Sequence, residues 1–171
     1  MKQISKAGHA ELKNYFERQF EDEEFLLFRL STVSRRVANA CAEVYFAEFG
    51  LTVPEWRLMA QIGRFGGITA KDIAEKISMD RVAISRAAAK CLAEELISES
   101  PHPDDRRSKI LSFTKKGKAL YRVVIPRACD LANVVESGLT MGEVKTLKAL
   151  LDKVDSSIVK ITATRAHTEA A

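Results

Sequence analysis

Apolar residues recur along residues 26–44 at steps of three and four, the spacing of one face of an α-helix. This stripe consists of Leu26, Leu30, Val33, Val37, Ala40 and Val44. Gly50 follows the stripe at a position suited to a helix C-cap. Pro54, which suits the first position of a helix, then opens a second apolar segment over residues 54–64. The pattern therefore predicts two consecutive helices, over 24–49 and 54–64.

Two further helices are predicted next, with a tight break at residues 78–80 between them. Thr69 is an N-cap candidate for the first, which extends over about 70–77. The second is longer, over about 80–96, and its polar side carries Arg86 and Lys90. Its apolar side holds Ile84, Ala87, Ala88 and Cys91. Two helices joined by so short a break are typical of a helix-turn-helix.

The hydrophobic period then changes to that of β-strands. Residues 96–100 and 109–113 are each predicted to form a short strand, and the charged, turn-rich segment 101–107 joins them. This is a β-hairpin with a basic tip, or wing. Thr114 is a cap for a fifth helix that extends to about 137, in which we expect Pro126 to produce a kink.

Thr140 and Glu143 form a capping-box pattern that opens a sixth helix. Its apolar residues again recur at helical spacing, and they are Val144, Leu147, Leu151, Val154 and Ile158. We expect this stripe, with Leu26 and Leu30, to form a dimer interface, because these chain ends are too long for a small winged domain to cover. The predicted fold is mainly α with a small β-hairpin wing, in which long dimerisation helices flank a winged helix-turn-helix core.

The predicted organisation has four parts: an N-terminal extension (1–22), a helical dimerisation region (23–50 and 118–163), a winged helix-turn-helix (51–117) and a flexible tail (164–171). The formal net charge of +4 is concentrated in the winged part, since residues 64–118 carry twelve Lys and Arg against eight Asp and Glu. A basic middle between nearly neutral ends is typical of a polyanion-binding module on a scaffold that does not bind.

Composition and motifs argue against other protein classes. Cys41, Cys91 and Cys129 lie far apart, which argues against a disulfide framework or a zinc site and fits a reducing compartment. No run approaches the roughly 20 apolar residues of a membrane helix, and the first thirty residues lack the apolar stretch of a signal peptide. Metal-ligand spacings, phosphate loops and nucleophile elbows are also missing. We therefore expect a cytoplasmic protein that has no membrane partner, no cofactor or metal, and no enzymatic activity.

Residues 51–117 resemble the core of the MarR (multiple antibiotic resistance regulator) family. The matching segments are Leu51-Thr52 leading to Trp56, then ITAKDIA (68–74), AISR (83–86), DDRRSK (104–109) and FTKKG (113–117). The stretch from the wing to Gly117 is the most specific, although His102 stands where family wings often have Asp. The flanking helices fit the family's dimerisation layer, so the resemblance covers about 24–160. It implies a dimeric DNA-binding transcription regulator.

The predicted recognition helix and wing are the parts expected to contact DNA, because a B-DNA major groove admits an α-helix and a dimer presents two of them. The candidate contacts are Thr69, Arg81, Ser85, Arg86, Lys90, Arg106, Arg107 and Lys109. Asp105 is the expected wing-orienting residue, since its carboxylate could hold the guanidinium of Arg107 two positions later. The resemblance implies that one of the two wing arginines enters the minor groove.

Members of the MarR family generally hold small, often aromatic or anionic molecules between the dimerisation helices and the DNA-binding core. The resemblance therefore implies a repressor that such a ligand releases from a palindromic operator. Arg36 and Trp56 are the candidate charged and aromatic walls of the ligand site. Three alternatives stay open: a redox sensor of the same fold that uses its cysteines, an architectural DNA binder, and a winged helix that binds protein without an effector.

Overall fold

A computed structural model describes residues 25–105 and 107–168 of the chain. In these ranges the chain forms six helices and three strands. Their order is α1 (Leu26–Phe49), α2 (Val53–Phe65), β1 (Ile68–Thr69), α3 (Ala70–Lys76), α4 (Arg81–Ala93), β2 (Ile97–Pro101), β3 (Lys109–Phe113), α5 (Lys115–Glu136) and α6 (Met141–Thr168). The predicted fold class is confirmed. The predicted extension at 1–22 and residues 169–171 of the predicted tail lie outside the described residues.

The corner between α1 and α2 forms where the sequence predicts it. Gly50 adopts a left-handed conformation (φ 67°), and its amide donates to the carbonyl of Phe46 at 3.0 Å, which confirms the C-cap. The helix α2 begins at Val53, so Pro54 is its second residue and the prediction of the first position was wrong. Thr52 and Glu55 form a capping box that fixes this earlier start.

The helix-turn-helix consists of α3 and α4, as predicted, but α4 ends earlier than the predicted residue 96. Glu95 has a positive φ of 57°, and the amide of Leu96 donates to the carbonyl of Cys91 at 2.8 Å. This turn ends the helix and directs Leu96 into the core, where it is 3% exposed. The apolar side of α4 is confirmed, since Ile84, Ala87, Ala88 and Cys91 are buried.

The wing belongs to a three-stranded antiparallel sheet of order β1-β3-β2. The predicted hairpin of β2 and β3 is confirmed, and its register pairs Glu99 with Leu111. The short strand β1 pairs with the other edge of β3 and was missed, because two residues are too short for a period to be recognised. The sheet places the wing beside the N-terminus of α3.

The described chain divides into two compact units, the first ending at Ile125 and the second beginning at Pro126, both within α5. The core of the first unit is apolar, and its most deeply buried side chains are Leu51, Leu58, Met59, Ile62, Ile73, Ile84, Cys91, Leu111 and Val124. The helix α5 begins as predicted, since the hydroxyl of Thr114 accepts from the amide of Gly117 at 3.0 Å.

The second unit contains the end of α5 and the helix α6. The predicted capping box is confirmed: the amide of Thr140 donates to Glu143 Oε2 at 2.8 Å, and the amide of Glu143 donates to Thr140 Oγ1 at 3.3 Å. The helix α6 continues to Thr168, and the flexibility predicted from residue 164 stays a prediction. No helix in the described ranges is both long and apolar enough to span a bilayer.

Candidate nucleic-acid interface

A groove of about 440 Å³ lies between the helix-turn-helix and the wing. Four of the residues that the sequence predicts as DNA contacts line it: Thr69, Ser85, Arg107 and Lys109. Lys71 and Ser108 line the same groove and were missed, although Lys71 lies within the basic segment that the charge distribution indicates. The groove therefore brings together side chains from three separate elements, α3, α4 and the wing.

Among the polar residues of α4, Ser85 lines this groove, whereas Arg86 lines a recess beside the start of α2. Asp80 caps its N-terminus, with Oδ2 accepting from the amide of Ala83 at 3.0 Å. Ser85 and Arg86 are both exposed. Arg81 is paired with Glu75 at 2.7 Å, and both side chains are largely exposed. Of the three cations on α4, Arg86 alone has no ion pair within the described residues.

Thr69 has a different local role from the other predicted contacts. Its hydroxyl accepts from the amide of Asp72 at 3.1 Å and donates to Asp72 Oδ2 at 2.7 Å. The residue is 7% exposed. The predicted N-cap is confirmed, and these two hydrogen bonds leave the Thr69 hydroxyl committed to its own helix.

The tip of the wing is held by side chains that bond its backbone. Asp105 Oδ1 accepts from the backbone amide of Arg107 at 3.0 Å, and Oδ2 accepts from the hydroxyl of Ser108 at 2.6 Å. These two hydrogen bonds lower the pKa of the Asp105 carboxyl. In the described residues the Asp105 carboxylate thus bonds the amide of Arg107 and the hydroxyl of Ser108, and its wing-orienting role stays a prediction. Arg106 lies outside the described residues.

At the other side of the wing tip, His102 accepts backbone hydrogen bonds as a carboxylate would. Its Nδ1 accepts from the backbone amides of Asp104 and Asp105, each at 3.2 Å. An Asp at this position, as in many family wings, has oxygens that accept such amides in the same way. The departure from the family pattern at His102 therefore preserves the turn.

Two further predicted contacts are tied to acidic side chains. Lys109 is paired with Glu99 on the neighbouring strand. Lys90 lies on the same side of α4 as Arg86, as the sequence predicts, but its Nζ is 3.0 Å from Oε2 of Glu55, a buried residue of α2. A helical period identifies which side of α4 is polar, but not what α2 places next to it.

The two candidate ligand residues have different surroundings among the described residues. Arg36 is exposed and lines a recess of about 470 Å³ along α1 with Phe28, Arg29, Thr32 and Val33. Trp56 is half-buried in a row of aromatic rings, with centroid distances of 5.2 Å to Tyr45 and 5.9 Å to Tyr121. Trp56 is therefore largely a packing residue.

Another recess, of about 330 Å³, lies between α2, β3 and α5. Phe113 and Tyr121, whose ring centroids are 5.0 Å apart, form part of its wall. Lys118 and Arg122 also line it, and neither has an ion pair within the described residues. Among the described residues no group of three or more His, Cys, Asp and Glu side chains could hold a metal ion.

The predicted dimerisation residues are exposed to different degrees in each unit. On α1 in the first unit, Leu26 is exposed and Leu30 is half-buried. On α6 in the second unit, Leu147, Leu151 and Ile158 are exposed. Val144 and Val154 are half-buried. Both helices thus carry apolar side chains that their own unit leaves accessible to solvent.

Comparison with known proteins agrees with this geometry. Residues 49–108 match the sequence model of the MarR family. The chain is 28% identical over 123 residues to an uncharacterized HTH-type transcriptional regulator, YybA of Bacillus subtilis, covering 72% of this chain and 82% of the relative.

Two solved structures are similar in fold. A cysteine-to-serine mutant of Escherichia coli MarR in complex with operator DNA is 25% identical, with a TM-score of 0.68 and coverage of 77% of this chain and 96% of that one. Bordetella bronchiseptica BpsR, whose DNA binding is regulated by 6-hydroxynicotinic acid, is 20% identical, with a TM-score of 0.63 and coverage of 74% and 98%. Together with the matched segment, these similarities show that the chain resembles the MarR family over residues 49–108 and has the fold of the family's transcriptional regulators.

Proposed function

We propose that this protein is a homodimeric, sequence-specific DNA-binding repressor that a small ligand releases from a palindromic operator. The observation that carries the proposal is the groove between α4 and the wing, where Ser85, Arg107 and Lys109 converge. The operator complex of E. coli MarR, which has the same fold, supports operator DNA as the partner.

In this proposal α4 enters the major groove and the wing reaches the minor groove. Ser85 and Arg86 are the polar residues on α4 that are exposed and have no acidic partner within the described residues. Arg107 lies at the exposed tip, where a cation is attracted by the negative potential of a narrow minor groove. Arg81 and Lys109 are in exposed ion pairs worth only about 0–1 kcal/mol, so either side chain can exchange its carboxylate for a phosphate.

Dimerisation is proposed from the accessible apolar residues of α1 and α6. Large exposed apolar surfaces on a chain of this size are typical of a protein–protein interface. Light scattering should give twice the 19.0 kDa mass of the chain. Leu151→Asp and Val154→Asp should shift the protein toward the monomer and weaken DNA binding through the loss of avidity. A wild-type monomer at micromolar concentration contradicts this part of the proposal.

For the ligand, the recess between α2, β3 and α5 has more suitable chemistry than the pair of residues predicted from the sequence. Aromatic rings bind a planar apolar body, and the unpaired cations Lys118 and Arg122 attract an anionic group. The regulation of BpsR by 6-hydroxynicotinic acid supports a ligand of this class. Arg122→Ala should weaken the response of DNA binding to aromatic acids and leave ligand-free DNA binding unchanged, whereas Arg36→Ala should leave both unchanged.

Selection from a random duplex library tests the proposed function directly. The full-length protein should enrich one palindromic sequence, and fluorescence anisotropy should then give an affinity for that duplex that falls steeply with salt. Enrichment of no sequence, with equal affinity for every duplex, favours an architectural DNA binder. Absence of binding to any duplex at low salt contradicts the proposal.

A further inference from the structure

Glu55 is a buried carboxylate that joins three parts of the first unit. Its side chain is 6% exposed, and its Oε2 accepts from the backbone amide of Thr52 at 2.9 Å and from Lys90 Nζ at 3.0 Å. The same ammonium lies 3.4 Å from the carbonyl oxygen of Gly50, the C-cap of α1. The contact therefore connects the end of α1 and the start of α2 to the last turns of α4.

The physical requirement for this contact comes from burial. A carboxylate removed from water needs a charged partner and hydrogen bonds, and it is strongly destabilising when the partner is lost. Among the described residues, Lys90 is the cation that is paired with Glu55. Because one oxygen of Glu55 accepts both bonds, a change in the angle of α4 would separate Lys90 from the start of α2.

We infer that Lys90 is a positioning residue which, with Glu55, fixes the orientation of α4 and so sets how specifically α4 reads DNA, while making no DNA contact itself. This inference rests on the proposed DNA-binding function. It replaces the role predicted for Lys90 from the sequence. The hydrogen bond to Glu55 raises the pKa of Lys90, so the ammonium stays charged throughout the pH range of DNA-binding assays.

The neighbouring cation of the same helix provides a matched control. Arg86 lies one turn before Lys90 and lines the same recess beside the start of α2, but it has no ion pair within the described residues. Loss of either side chain removes one positive charge per protomer from α4. The two residues differ because the ammonium of Lys90 is paired with Glu55, whereas the guanidinium of Arg86 has no acidic partner within the described residues.

The experiment is a double-mutant cycle on the full-length protein with Glu55→Gln and Lys90→Met. Gln keeps the shape of Glu and can still accept from Thr52, so it removes chiefly the charge. Affinity is measured on the duplex that the wild-type protein enriches from a random library and on a scrambled duplex of the same composition. Both are measured at several salt concentrations, with circular dichroism to check that each variant is folded.

Each single variant should bind the enriched duplex about tenfold more weakly, a size of coupling common between contacting residues. The double variant should bind no more weakly than either single variant. Affinity for scrambled DNA and the salt slope should stay near the wild-type values, because no phosphate contact is lost. Reduced discrimination between the two duplexes is the result that a purely stabilising ion pair would not produce. Lys90→Arg should keep the wild-type discrimination between the two duplexes, because Arg can also pair with Glu55.

For the control pair, we expect the losses in affinity to be additive rather than coupled. Arg86→Met combined with Glu55→Gln should give losses that add within about a factor of two, since these residues share no bond. If Lys90→Met lowers the salt slope by about one per protomer, Lys90 contacts DNA and the inference is wrong while the proposed function stands. If Glu55→Gln leaves affinity unchanged, the ion pair does not set recognition and the inference is equally wrong. If the wild-type protein binds no duplex, the proposed function fails and this inference fails with it. Should Lys90→Met not fold, the affinities of Glu55→Gln for the two duplexes decide the question, because that variant removes the partner of Lys90 and leaves its charge in place.

Discussion

Gly117 is the position at which we expect the smallest change to have the largest effect on stability. It lies in the first turn of α5 and is buried against the backbone of Leu96. A Cβ added at Gly117 would overlap the carbonyl oxygen of Leu96 and would lie 2.7 Å from its carbonyl carbon and 3.1 Å from its Cα. A rotamer change cannot relieve this overlap, because the neighbouring atoms belong to the main chain.

The change in the free energy of unfolding that we expect for Gly117→Ala follows from two opposing effects. Replacing Gly by Ala in a helix stabilises it by up to about 1 kcal/mol. Inserting a methyl group into a filled site destabilises by about 1–3 kcal/mol and occasionally more, and backbone neighbours give the upper end. We therefore expect a net loss of about 2 kcal/mol, or a fall in Tm of roughly 4–8 °C for a chain of this size.

Urea unfolding followed by circular dichroism, at one fixed protein concentration, measures this loss. Gly50→Ala is the matched control within the same unit, since a Cβ there meets no atom within 4 Å but the residue has a positive φ of 67°. Left-handed strain alone should destabilise that variant by about 1 kcal/mol. If Gly117→Ala is as stable as the wild-type protein, or more stable than Gly50→Ala, then α5 does not pack as closely against the backbone of Leu96 as the structure shows.

Three other predictions concern single groups. Burial raises the pKa of the Cys91 thiol to about 12. A thiol reagent at neutral pH should therefore label the exposed Cys129 quickly and Cys91 only when the protein unfolds. Fast labelling of Cys91 in the folded protein would support the redox alternative. The Asp105 carboxyl should titrate below its ordinary pKa of 3.8 by NMR, so its stabilisation of the wing is present above that value and is lost as the pH falls through the lower folded pKa. Ser108→Ala should raise this pKa, and no change would mean that the hydroxyl contact is absent. Thr140→Ala should lower the stability of α6 by about 1 kcal/mol in urea unfolding, whereas the exposed change Lys145→Ala should have little effect.

The sequence allowed most of the helices and the hairpin to be predicted, because these depend on local patterns. The apolar side of α4 follows from its period, and the capping box at Thr140 follows from residues three positions apart. The end of α4 was placed too late because Leu96 continues the apolar pattern, while the left-handed turn at Glu95 is visible only in the backbone.

The site was harder to predict where its geometry depends on contacts between distant segments. The basic wing and the polar edge of α4 could be recognised, but the partner of Lys90 is 35 positions earlier in the chain. For Asp105, the spacing to Arg107 suggests a partner without showing whether its amide or its guanidinium is bound. The convergence of Phe113, Tyr121 and Arg122 likewise depends on how α5 packs against β3, which no local pattern encodes.

The central claim is that the groove between α4 and the wing binds DNA, and a comparison of two cations tests it most directly. Arg107 is exposed at the groove, whereas Lys116 donates to the carbonyl of Glu94 at 2.8 Å near the start of α5. The affinity of each Ala variant for the enriched duplex is measured over a series of salt concentrations. Arg107→Ala should weaken binding and reduce the log–log salt slope by about one per protomer, hence about two per dimer, while Lys116→Ala should leave the slope unchanged. Equal slopes for the two variants, or a wild-type affinity that does not respond to salt, would contradict the claim.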